Sequence, residues 1–200
     1  MYGDCTMSLL YVDDIRGKTA AASVDLSNAT NLKMPAGSIV QTTQTRHTAK
    51  SVITSTSFTS VYTCSITPKF ATSKILIQVS FSGQHRNYHS GLVRVYRTIG
   101  GALTVQGGGL DTQDVGTQWS NVWFNIRKEH GNSDGFNYCV HTYAASHLDS
   151  PNTTSAITYD VRGMTTGDTS VGLYVNRTPQ NTQAYDSSCA STITLQEISQ

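Results

Sequence analysis

The chain has 200 residues, with 14 Lys plus Arg against 13 Asp plus Glu, a net charge of +1 and 14% charged residues; an average soluble domain carries roughly 25%. That balance excludes a disordered polyelectrolyte and leaves no basic reservoir for neutralising phosphates, so no nucleic-acid partner is expected. No apolar run approaches the roughly 18 residues of a membrane span, and no cationic stretch followed by an apolar one opens the chain, so no membrane insertion is expected either. Ser and Thr make up about a quarter of the residues, which favours strands and turns over helices.

The first 36 residues differ from the rest. Met7-Ser8-Leu9-Leu10-Tyr11-Val12-Asp13-Asp14 is a short apolar piece ending in two acids, and a small-residue run at Ala20 to Ala22 follows. Such a segment cannot build a core alone and reads as an extended arm. Residues 37–200 show the period of two expected of strands with one buried face. Strands are predicted at Ser38 to Thr45, Val52 to Ser65, Lys74 to Ser82 and Leu92 to Arg97. Further strands are predicted at Asn121 to Arg127, Phe136 to Tyr143, Ala156 to Arg162, Gly172 to Asn176 and Thr192 to Ile198. The clearest is Lys74 to Ser82, with Ile75, Ile77, Val79 and Phe81 on one face and Gln78, Ser80 and Ser82 on the other. In Asn121 to Arg127, Val122, Phe124 and Ile126 form one face and Trp123, Asn125 and Arg127 the other. Gly100-Gly101, Gly107 to Gly109, Gly131 to Gly135, Asp149 to Asn152 and Gly163 to Asp168 supply turns. No segment suits a helical crossover, so the strands are expected to be antiparallel. The fold class expected is therefore all-β: an antiparallel, jelly-roll-like β-sandwich over residues 37–200, with an extended N-terminal arm.

Chemistry-bearing motifs are sparse. Gln84 to Ser90 reads as a polar loop in which His85 and His89 lack a third ligand at local spacing, so no metal is expected. Neither a Gly-x-Ser-x-Gly elbow nor a phosphate loop occurs. Asp111 and Asp114 have the spacing of a solvated loop as much as of paired catalytic acids, and Asp149 reads as a turn cap. No enzymatic activity and no cofactor are expected. Cys5, Cys64, Cys139 and Cys189 form no CxxC pair and read as structural. The sequons at Asn28, Asn152 and Asn176 are what a Thr-rich chain contains by chance. Aromatic side chains in or beside polar loops suit a glycan or protein partner, since rings contribute area and amides directional hydrogen bonds. Tyr88, Trp119 and Tyr185 are the candidate receptor contacts, whereas Trp123 and Tyr138 are expected to be packed in the sandwich or at a subunit interface.

Several stretches, in order along nearly the whole chain, resemble small bacteriophage virion proteins of the tail fibre or structural class from phages of aquatic bacteria. They include Leu10 to Ile15, Met34 to Gln41, Ile66-Thr67-Pro68, Ser73 to Ile77, Val95-Tyr96-Arg97 and Val175-Asn176-Arg177. The most specific are Leu148-Asp149-Ser150-Pro151-Asn152-Thr153-Thr154-Ser155-Ala156-Ile157-Thr158-Tyr159 and the closing Ser191-Thr192-Ile193-Thr194-Leu195-Gln196-Glu197-Ile198. The resemblance implies a homotrimeric β-sandwich knob exposed on the virion, joined to other virion proteins by its N-terminal arm and acting in host attachment. Leu10, Val12 and Ile15, the apolar positions of the arm, would carry that docking. Host surface glycan or protein is the implied receptor. A capsid decoration or head fibre protein and a carbohydrate-binding, lectin-like module are the alternative readings.

Overall fold

Alternation of apolar and polar residues produces two antiparallel sheets whose apolar faces meet. The structure, a computed structural model, describes residues 34–85, 89–106, 122–127, 138–167, 172–180 and 187–200. Within these, eleven strands occur in the order β1 (Ile39–His47), β2 (Ser51–Ile53), β3 (Thr59–Ile66), β4 (Lys74–His85), β5 (Ser90–Ile99), β6 (Ala102–Gln106), β7 (Phe124–Arg127), β8 (His141–Asp149), β9 (Ile157–Thr165), β10 (Leu173–Val175) and β11 (Ser191–Ile198). Among the described residues there is no α-helix. Pro35–Gln200 forms one compact unit.

Three of the strands are interrupted. β1 pairs with β11 and β2 with β10, while β10 and β11 share one edge of β4, at Gly83 to His85 and at Lys74 to Ser80. β6 pairs with Val95 to Ile99 of β5 and β7 with Ser90 to Val93. Joining β1 with β2, β6 with β7 and β10 with β11 reduces the sandwich to eight strands. Numbered so, the first sheet is ordered first, eighth, third, sixth, and the second is ordered second, seventh, fourth, fifth. First with eighth, second with seventh, third with sixth and fourth with fifth is a hairpin rolled on itself, the jelly roll. The expected fold class is therefore that of the structure; of the arm expected over residues 1–36, residues 1–33 lie outside the described residues.

Ile75, Ile77, Val79, Phe81, Ile193 and Leu195 of the first sheet face Tyr62, Cys64, Val93, Val95, Ile126, Ile157, Tyr159 and Val161 of the second, all buried in one core. Two polar devices hold this core in register. Asp149 of β8 accepts from Arg97 Nη1 of β5 at 2.8 and 2.9 Å and from the Tyr159 hydroxyl of β9 at 2.7 Å, a clamp between the sheets. Asp149 is thus an inter-sheet anchor and not the expected turn cap. Glu197 of β11, fully buried, accepts from the Lys69 and Phe70 amides and from Gln41 Nε2, at 2.6 to 3.1 Å, and so fixes the β3–β4 connection. Burial raises its pKa, but these donors, together with the Ser73 hydroxyl, outweigh burial and hold it below the ordinary carboxylate value.

A third device closes the interrupted strands. Asn176, fully buried and with φ of 56°, donates to the carbonyls of His47 and Ala49 in the break between β1 and β2. It accepts from the Ser191 hydroxyl where β11 begins. Asn tolerates this left-handed backbone better than branched residues, and one amide satisfies two strand breaks at once. Its sequon is therefore buried.

Several sequence expectations are corrected. Val52 to Ser65 is two strands, because the chain crosses between the sheets at residues 54–58. Gln84 and His85 belong to β4 and are buried. Of the expected strand at Phe136 to Tyr143, residues 136–137 lie outside the described residues, and the strand itself runs over His141–Asp149. Trp123 is packed in the sandwich, as expected of it, and its indole donates to the Gln106 carbonyl, closing the β6–β7 interruption. The Gly100-Gly101 turn is present, with φ of 56° and 87°.

Candidate functional site

The sandwich offers two outer faces. On the second sheet, Arg94 and Arg162 are direct cross-strand neighbours, an arrangement of like charges that needs compensation. The compensation is internal. Arg162 Nε lies 2.6 Å from Asp160, which also accepts from Ser60, and its guanidinium sits 4.9 Å from the centre of the Tyr96 ring. Arg94 lies 4.4 Å over the Phe58 ring, which meets Tyr96 edge-on. The crossover residue Phe58 is thereby tied to the sheet. This face is charged and braced by its own side chains, with Leu103 and Val105 of β6 exposed on it at the sheet edge.

On the first sheet, the outward positions of β1, β11, β4 and β8 are read from the register. Arg46, Thr192, Ser80 and Ala144 form one row, Gln44, Thr194, Gln78 and Ser146 the next, and Thr42, Gln196, Leu76 and Leu148 the third. Ile198 pairs with Ile39 beyond them. Among the described outward residues of these strands there is no carboxylate, and the cations, Arg46 and Lys74, stand at opposite ends. The small side chains leave a shallow furrow of about 430 Å³ lined by Gln78, Ser80, Ala144, Ser146, Thr192 and Thr194. Leu76, Leu148, Ile198 and Ile39 form an aliphatic ridge beside it, with Leu148 45% and Ile39 52% exposed. A neutral floor with a hydrophobic rim suits a protein surface or an uncharged ligand.

Of the residues singled out from sequence, Leu10, Val12, Ile15, Tyr88, Trp119 and Tyr185 all lie outside the described residues, as do Asp111 and Asp114. Trp123 packs in the core beside Phe124, and Tyr143 is half-buried with its ring 6.0 Å from that of Phe124. Burial raises the Tyr143 pKa. His85 is fully buried with Nε2 at 2.8 Å from the Thr165 hydroxyl. Among the described residues no group of three His, Cys, Asp or Glu could hold a metal ion.

The ridge is absent from the sites expected from sequence, although a signal for it exists. Leu76 and Ile198 sit at the outward phase of strands whose other outward residues are polar, and an apolar residue out of phase marks a surface that something covers. No family model matches the chain, and no curated protein matches its sequence.

Proposed function

We propose that the chain is a bacteriophage virion structural protein: a homotrimeric knob exposed on the particle that acts in host attachment as part of a tail fibre, with its N-terminal arm joining it to other virion proteins. The observation that carries this reading is the jelly roll with one neutral, ridged outer face and one self-braced charged face. A free monomer gains nothing from leaving aliphatic side chains on an otherwise hydrophilic sheet, whereas a subunit of an assembly does. The sequence resemblance to virion proteins supports it, because its two most specific stretches include residues that anchor this fold: Asp149 and Tyr159 in one and Glu197 in the other. Three knobs presented together strengthen weak receptor contacts through avidity, by roughly 10²- to 10⁴-fold where the geometry permits.

The test is competition. Purified full-length chain added to host cells before infection should reduce phage adsorption, and antibody against the chain should label the tail in electron micrographs of the virion. Capsid labelling with unchanged adsorption would replace host attachment with capsid decoration. No labelling of the virion at all would overturn the reading.

A further inference from the structure

We propose that the copies of the trimer meet through the outer face of the first sheet, with the ridge of Leu76, Leu148, Ile198 and Ile39 of one copy seated in the Ser80, Ala144, Ser146, Thr192 and Thr194 furrow of the next. This rests on the trimeric reading above. Three observations select a second copy of this chain as the occupant.

The first is charge. The four strands turn no described carboxylate outward, and their two outward cations, Arg46 beside the furrow and Lys74 beside the ridge, have stems long enough to hold their charges in solvent at the rim, so two such surfaces approach without desolvating a carboxylate. The opposite face carries Arg94, Arg127, Asp160 and Arg162 and would not. The second is shape. Ridge and furrow lie side by side on one sheet, so a copy cannot fill its own furrow; Ala144 and Leu148 are four residues apart on one strand, about 13 Å. Ridge into furrow is a head-to-tail contact, which generates a closed ring when the rotation permits. A face meeting its own twin would give a dimer instead. The third is where the compact unit begins. Gly37 donates to the Ser199 carbonyl at 2.8 Å and Ser199 to the Ser38 carbonyl at 2.9 Å, so the start of the unit is pinned beside Ile39 and Ile198, at the ridge. In a ring built through this face, the three such starts lie at the same end of the interface, as joint attachment to one virion site requires.

The test is sedimentation equilibrium of the full-length chain and four variants, with circular dichroism to check folding. Wild type should be a trimer. Leu148→Glu and Ala144→Lys should each weaken the trimer at least 100-fold, since both residues are exposed in the single subunit and neither supports its fold. The double variant should regain at least tenfold over either single change, because the carboxylate introduced at position 148 of one copy would meet the ammonium introduced at position 144 of the next. Leu103→Glu, on the opposite face and 47% exposed, should leave the trimer unchanged. A monomeric wild type would overturn the trimeric reading itself. A trimeric wild type whose affinity is insensitive to Leu148→Glu and Ala144→Lys, or a double variant no tighter than the singles, would overturn the face assignment while leaving the trimer standing. A wild-type dimer would also contradict ridge-into-furrow assembly.

Discussion

The two sheets share a core but treat solvent differently. Outside the second sheet, Arg162 rests on Tyr96 and Asp160, and Arg94 on Phe58, so cation, ring and carboxylate are matched within the chain. Outside the first sheet, a floor of Ser, Thr, Ala and Gln runs into an aliphatic ridge, and no described side chain of the same subunit covers Leu148 or Ile39. The lesson is one of division: the ionic and ring side chains of the charged face brace one another, while Leu148 and Ile39 of the neutral face have no such bracing among the described residues of the subunit.

That division can be broken or sharpened by substitution. The largest effect should come from the clamp on which both faces depend. Asp149→Ala leaves Arg97 without its carboxylate and the buried Tyr159 hydroxyl without its acceptor; the side chains of Asp149 and Arg97 are only 7% and 19% exposed. Removing one partner of such a pair costs about 3–5 kcal/mol, read as a lower urea midpoint. A loss below about 1 kcal/mol would show that packing alone holds the sheets together.

Next in size is Glu197→Gln, expected to cost about 1–3 kcal/mol at neutral pH because charge-assisted hydrogen bonds are weakened. Its pKa is lowered in the folded chain, so its contribution is fully present above the unfolded carboxylate value, near 4.3, and is lost as pH falls through the lower folded value. Melting temperature should therefore decline on acidification below that point in wild type, and less steeply in Glu197→Gln. Phe58→Ala, which removes the surface that Arg94 covers and the edge contact to Tyr96, should cost about 1–2 kcal/mol. Smallest of all, Leu148→Ser on the neutral face should alter the stability of the dissociated subunit by no more than about 0.5 kcal/mol, measured by denaturation below the assembly concentration. A Leu148→Ser loss as large as that of Phe58→Ala would erase the distinction between the faces.

Much of this architecture is legible in the sequence. Strict alternation in Lys74 to Ser82 specifies which side chains face the core, and Gly100-Gly101 specifies a hairpin, because both signals are local. The interruptions are not legible. Where β10 stops and β11 begins is decided by Asn176, whose partners at His47, Ala49 and Ser191 are distant in sequence. Asp149 resembles a turn residue for the same reason: its partner Arg97 is 52 residues away. Gln84 and His85 resemble loop because they are polar, yet β4 continues through them and tertiary contacts bury both. The face on which function is placed is half visible, since alternation alone turns Gln78 and Ser80 outward. Its ridge needs the register, which aligns Leu76 of β4 with Leu148 of β8.

Leu148 and Leu103 are a matched pair, 45% and 47% exposed on opposite faces of the same sandwich. Hydroxyl-radical footprinting of the full-length chain, above and below its assembly concentration, reads both side chains in one experiment. Assembly through the neutral face predicts that oxidation of Leu148 falls several-fold at the higher concentration while that of Leu103 stays constant. Protection of Leu103 with Leu148 still reactive would contradict it.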